Sequence, residues 1–120
     1  MELNREAASS CIFCKIAAKV VPAKIVYEDD LCIAFHDTNP QAPVHLLVIP
    51  RKHIPSVLEA EEAGEPVIGH LHRVAAELAH RNQINNGYRV VVNTGPGSGQ
   101  TVFHLHLHLL GGRIFSWPPG

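Results

Sequence analysis

Apolar residues in this chain recur with two different periods, and each predicts an element. In Thr101-Val102-Phe103-His104-Leu105-His106-Leu107-His108-Leu109-Leu110 the alternation is one in two. That period belongs to a β-strand, with His104, His106 and His108 on one face and leucines on the other. Val67, Ile68, Leu71, Val74, Ala75, Leu78 and Ala79 recur instead at three and four. This predicts one long helix over residues 65–82, stopped by Asn85-Asn86-Gly87. Residues 24–28 and 31–37 are β-branched, apolar runs separated by Asp29-Asp30, which reads as a hairpin. Residues 44–49 form a buried-type strand ended by Pro50, and 88–93 another strand before the histidine row, taken as 103–110. A short helix is expected over 13–20, closed by Val21-Pro22, with a helical turn or two over 55–62.

These elements predict an α+β domain: a five-stranded antiparallel sheet with one long and one short helix. The last two strands are joined by a loop rather than a helix, which favours antiparallel pairing. Residues 1–10 read as a flexible polar arm, and residues 11–120 as a single domain. The arm carries acidic groups and is no signal peptide, and no apolar stretch reaches the roughly 20 residues of a membrane helix. The net charge of −1 and the lack of a basic cluster longer than Arg51-Lys52-His53 argue against a nucleic-acid binder. A cytoplasmic location is expected.

Three imidazoles on one sheet face, spaced roughly 6.6 Å apart along the strand, call for chemistry. Imidazole titrates near neutrality and is both nucleophile and metal ligand. One reading is covalent catalysis, with one histidine attacking and its neighbours stabilising charge. The other is a metal centre, since histidines two apart on a strand can reach one ion. The bland alternative, three core histidines, requires a separate buried partner for each ring.

Two further features bear on that choice. Cys11 and Cys14 form a C-x-x-C, and a third cysteine, Cys32, cannot complete an even set. In a reducing compartment the spacing marks a metal half-site or a redox pair. The redox reading wants a preceding strand, which is absent; two half-buried thiols under the sheet remain the alternative. Cys32 reads as a small core residue. The stretch Asn93-Thr94-Gly95-Pro96-Gly97-Ser98-Gly99-Gln100-Thr101 lacks the Gly-Lys-Ser/Thr ending of a P-loop and leads into a strand. It can still offer backbone N–H groups to an anion, or can be a hairpin loop using glycine's positive φ.

Together these residues resemble the histidine triad (HIT) superfamily, whose signature is His-x-His-x-His-x-x with apolar x. Here it reads His104-Leu105-His106-Leu107-His108-Leu109-Leu110. The likeness runs from Cys11 to the C-terminus. Phe35-His36-Asp37-Thr38-Asn39-Pro40-Gln41-Ala42-Pro43-Val44-His45, Gly99-Gln100-Thr101, Gly111-Gly112-Arg113 and Trp117-Pro118-Pro119-Gly120 are similar to the Hint branch.

The resemblance implies hydrolysis of purine nucleoside 5′-phosphoramidates at the P–N bond, through a nucleotidyl-histidine intermediate. His106 is implied as nucleophile and His108 as the contact to phosphate oxygens. Gly99, Gln100 and Thr101 are implied as further phosphate or leaving-group contacts. Asp37 is implied to bind the ribose hydroxyls, with a turn residue as the plainer reading; Phe35, Thr38 and Asn93 map to nucleoside- or phosphate-contacting positions. His45 falls where the family has a fourth active-site histidine, although a lone histidine in an apolar strand is more often a satisfied core residue. Thr101, His108 and His45 are candidates to protonate the leaving amine. No catalytic metal is expected, but the resemblance implies a structural zinc held by Cys11, Cys14, His53 and His104. It also implies a homodimer whose two sheets join into one ten-stranded layer, with Trp117 reaching towards the partner's site. His70, His72 and His80 read as solvated positions on the long helix, and His36 is undecided.

Three rival functions differ by class. A Fhit-like dinucleoside polyphosphate hydrolase would lack the Trp-Pro-Pro-Gly ending. A binding or scaffold protein would have no need of an intact histidine row. A metalloenzyme would lose turnover on chelation.

Overall fold

The computed structural model describes residues 8–120. Most of the arm expected over 1–10 therefore lies outside the described residues. Ala8–Ser10 form one 3-10 turn that runs into the first helix. Five antiparallel strands follow: β1 (Ile25–Glu28), β2 (Cys32–His36), β3 (Val44–Pro50), β4 (Tyr88–Val91) and β5 (Leu107–Gly111). Their spatial order is β1-β2-β3-β5-β4, so the expected α+β sheet is present with β1 and β4 at its edges.

A helix lies on each face. On one packs α3 (Glu65–Arg81), whose Leu71, Val74, Ala75, Leu78 and Ala79 are buried against Cys32, Ala34, Leu46, Val48, Leu105, Leu107 and Leu109. On the other packs the short α1 (Ile12–Ala17), with Phe13 and Ile16 against Ile33, Phe35, Leu47 and Ile49. The period-two alternation of β2 and β3 sorts their side chains between the two cores. A further turn, α2 (Val57–Ala60), is capped by the Ser56 hydroxyl, which accepts from the Leu58 N–H at 3.2 Å.

Two expectations need correcting. The short helix ends at Ala17 rather than residue 20, because Lys19 turns the chain at φ 62°, where no helix continues. The histidine row is not one strand over 103–110, since regular pairing begins only at Leu107. Before it, outside the ladder, the Leu105 N–H donates to the Ile54 carbonyl at 2.6 Å. The alternation still holds there: Leu105 faces α3, while His104 and His106 contact Phe13 on the α1 side.

His70 is not simply solvated. Its Nε2 lies 2.6 Å from Asp29 Oδ2, the oxygen to which the Tyr27 hydroxyl also donates at 2.8 Å. Asp29 Oδ1 accepts from the Leu31 and Cys32 N–H groups, both at 2.8 Å. Burial raises the Asp29 pKa, but these hydrogen bonds, led by His70, outweigh it and hold the carboxyl well below its ordinary range. One carboxylate thus ties the β1–β2 turn to α3. Asp29→Ala is expected to cost about 2–4 kcal/mol, measurable by urea denaturation, from several lost hydrogen bonds of roughly 1 kcal/mol each.

Candidate active site

Sheet register assembles the site. Phe35 of β2 pairs with Leu47 of β3, and Leu47 with His108 of β5, so the three lie side by side on the α1 face. His45 lies two residues before Leu47 on the same face, diagonal to His108. Above this row opens a cavity of about 1140 Å³. Its apolar lining includes Ile12, Phe13, Ile16, Phe35 and Leu47. The polar wall holds His36, Asp37, Thr38, Thr101, His106 and His108.

Each ring nitrogen's role follows from its partner. His106 Nδ1 lies 2.7 Å from the His104 carbonyl, which can only accept, so Nδ1 carries the proton and Nε2 keeps a lone pair. Burial lowers the His106 pKa, outweighing the opposing backbone hydrogen bond and Asp37, so the ring is neutral at pH 7. The Nε2 lone pair of His106 is therefore kept at neutral pH. The His108 ring stands 5.0 Å from it, centroid to centroid. Burial, then the proximity of His106 and His45, pushes His108 down to about 4, against the opposing pull of Asp37.

Asp37 has two duties. Its Oδ1 accepts from the Asn39 N–H at 2.8 Å, closing a turn, while Oδ2 stands 3.4 Å from His45 Nε2 and 4.0 Å from His108 Nδ1. Both readings of Asp37 from the sequence are thus compatible, since the carboxylate closes a turn and also lines the cavity. Asp37, His45 and His108 resemble a two-histidine, one-carboxylate metal triad. Protonation argues against it. The Gln41 N–H donates to His45 Nδ1 at 3.0 Å, so His45 Nε2 bears a hydrogen and has no lone pair for a metal.

Metal-ligand chemistry collects elsewhere. Cys11, Cys14, His53 and His104 bring one donor atom each to within 4.8 Å of one another. His104 Nε2 donates to the Pro50 carbonyl at 2.8 Å, which leaves its Nδ1 lone pair facing Cys11 Sγ at 3.3 Å and Cys14 Sγ at 3.5 Å. His53 Nδ1 lies 3.3 Å from Cys14 Sγ. Around a tetrahedral zinc, sulfur and nitrogen ligands stand about 3.5 Å apart, given bond lengths of about 2.3 and 2.0 Å. The donor set and its spacing fit that ion.

The other residues singled out in the sequence divide. Phe35, Asp37, Thr38 and Thr101 line the cavity; His45, Asn93, Gly99, Gln100 and Trp117 do not. Gln100 is the clearest departure. It is buried, its Oε1 accepts from the Gly95 N–H at 2.8 Å, and its Nε2 donates to the Pro55 and Val102 carbonyls at 2.8 and 3.0 Å. A carboxamide so occupied shapes the loop that delivers Thr101, rather than reaching a phosphate. Gly99 sits at φ 97°, the turn that glycine permits. Trp117 is 83% exposed. The apolar Ile12, Phe13 and Ile16 were missed as cavity residues, because in sequence they read only as a helix's core face.

A model of the HIT domain matches residues 18–114, a span that excludes Cys11, Cys14 and Trp117. An uncharacterized HIT-like protein of Synechococcus elongatus is 55% identical over 109 residues, 91% of this chain and 96% of that one. Among solved structures, a HIT family hydrolase from Legionella pneumophila superposes with TM-score 0.90 at 46% identity, covering 92% of this chain and 100% of that chain. A histidine triad nucleotide-binding protein from Candida albicans gives TM-score 0.78 at 27% identity, over 92% and 85% of the two chains.

Proposed function

The chain belongs to the HIT domain family, and from that premise we propose that it hydrolyses purine nucleoside 5′-phosphoramidates by way of His106. The observation that carries the reading is the 2.7 Å contact of His106 Nδ1 with the His104 carbonyl, which leaves Nε2 with its lone pair in a ring that lines the cavity. The purine stacks among Ile12, Phe13, Ile16, Phe35 and Leu47, and Asp37 Oδ2 accepts from the ribose hydroxyls. His106 Nε2 attacks phosphorus, the P–N bond breaks, and the amine leaves with a proton. That proton comes from solvent in the open cavity, while His108, which lines the cavity, and Thr101 steady the phosphoryl oxygens. His45 is set behind His108 and acts through it. Water then attacks the nucleotidyl-histidine, releasing AMP and restoring the imidazole.

Cys11, Cys14, His53 and His104 would hold a structural zinc that takes no part in the chemistry. His104, tied down in that set, presents the carbonyl that aims His106. The Hint branch and the homodimer belong to the same proposal. The β4 edge lies beside a groove lined by Tyr88, Arg89, Arg113 and Phe115, and such an edge calls for cover. A monomer at micromolar concentration in analytical ultracentrifugation would remove the dimer.

The test measures AMP release from adenosine 5′-phosphoramidate, with diadenosine triphosphate in parallel. Faster phosphoramidate turnover is expected. Preference for the triphosphate would favour the Fhit-like reading, and turnover of neither would favour a binding protein.

Acid should also weaken the fold. The His108 pKa is about 4 when folded, against an ordinary 6.5, so between these values the unfolded chain binds more protons. Stability from this group is complete above pH 6.5 and is lost as pH falls towards about 4. Thermal melts of the wild type should therefore fall more steeply across that window than melts of His108→Ala. Parallel slopes would refute the assignment.

A further inference from the structure

His45 lies outside the cavity wall and is 5% exposed, yet it is the group that the His108 ring meets at its back. We propose that the β2–β3 loop selects which nitrogen of His108 carries its proton, acting through the Gln41 amide and His45, and so makes His108 a hydrogen-bond donor towards the phosphoryl group. This rests on the phosphoramidate reading of the cavity.

The chain of donors starts at a group that cannot reverse. A backbone N–H only donates, and that of Gln41 points at His45 Nδ1 at 3.0 Å. The lone pair of His45 is thereby placed on Nδ1 and its hydrogen on Nε2. His45 Nε2 lies 2.9 Å from His108 Nδ1 and 3.4 Å from Asp37 Oδ2. The shorter contact goes to His108, which must therefore accept at Nδ1 and keep its own hydrogen on Nε2. Since Nδ1 faces His45, Nε2 is the nitrogen left to the cavity side. In the opposite tautomer, two N–H groups would face each other across 2.9 Å, and a lone pair would meet an anionic phosphate.

The loop is built to hold that first amide in place. Asp37 N–H donates to the His45 carbonyl at 3.1 Å, and the Asn39 N–H to Asp37 Oδ1 at 2.8 Å. Gln41 Nε2 donates to the Asn39 carbonyl at 3.0 Å, and the Gln41 carbonyl accepts from Arg113 Nε at 3.1 Å. Residues 37–45 thus form a closed ring of hydrogen bonds with one amide turned inward. Protonated His45 would set an N–H against that amide, and burial likewise keeps its pKa low, against the pull of Asp37. His45 is a positioning residue that works as a fixed, neutral relay.

The test uses the full chain, ¹⁵N-labelled, in long-range ¹H–¹⁵N spectra at neutral pH, beside turnover of adenosine 5′-phosphoramidate. Wild type should show both His45 and His108 protonated at Nε2. His45→Leu removes the donor, so His108 should shift towards the Nδ1-protonated form. Its kcat should fall on the order of 10²-fold with little change in KM, as for a lost transition-state donor. His45→Gln, whose carboxamide offers an N–H at the height of the imidazole Nε2, should keep the His108 tautomer and recover most of kcat. Should His45→Leu not fold, Gln41→Pro deletes the amide hydrogen, spares both rings, and should release His45 from its single tautomer. A wild-type His108 tautomer in folded His45→Leu, or in folded Gln41→Pro, would overturn the relay. The spectra do not depend on turnover, so a wild type inactive on phosphoramidate would sink the functional reading separately.

Discussion

His106→Ala is expected to lower phosphoramidate turnover by on the order of 10⁴- to 10⁶-fold, the scale seen when a covalent nucleophile is removed. The reason is specific to one atom. His106 Nδ1 is engaged by the His104 carbonyl, so Nε2 is the nitrogen able to attack phosphorus. His106→Asn separates chemistry from architecture, because its amide can still donate to that carbonyl while offering no nucleophilic lone pair. It should be as inactive as the alanine variant but melt closer to wild type. The alanine variant should melt a few degrees lower, since it loses the edge-on contact with Phe13 at 5.2 Å. Substantial turnover by His106→Asn would mean that another group attacks.

The second large effect concerns the metal cluster. Cys11→Ala is expected to yield protein without zinc and to cost on the order of 3–5 kcal/mol, the scale for breaking a buried set of charged partners. For a chain of this size that is a fall in Tm of roughly 10–20 °C. The cost should stay below the roughly 10–16 kcal/mol of zinc-finger peptides, because α3 and the sheet hold a core that owes nothing to the metal. Metal analysis and melts with and without chelator make the comparison. A wild type purified without zinc whose melting chelator does not change would remove the ion from the account. Activity should fall with the metal, since His104 would be a ligand and its carbonyl orients His106.

How much of this could be read from the chain varies by element. The alternation of histidine and leucine placed three imidazoles on one side of the sheet, and they are there, although only His108 lies in a regular strand. Period two records which side is buried, not whether the backbone is paired; residues 103–106 alternate while lying outside the ladder. The helix over Glu65–Arg81 was legible because its apolar stripe is long and uninterrupted. The Cys₂His₂ cluster was not legible from spacing, since His104 is 93 residues from Cys11 and only the folded register brings them to 3.3 Å. There the family resemblance supplied what local pattern could not. Gln100, which the resemblance implies as a phosphate or leaving-group contact, has its carboxamide consumed by three backbone groups that no one-dimensional pattern displays. His70 reads as solvated for the same reason, its partner Asp29 being 41 residues away in sequence.

Trapping the covalent intermediate tests the central claim most directly. Protein mixed with adenosine 5′-phosphoramidate labelled in its phosphorus, quenched within the first turnover and digested, should carry an acid-labile adenylyl group on the peptide containing His106. The label should be absent from His106→Ala. Turnover without any protein-bound label, or a label on a different residue, would contradict the account.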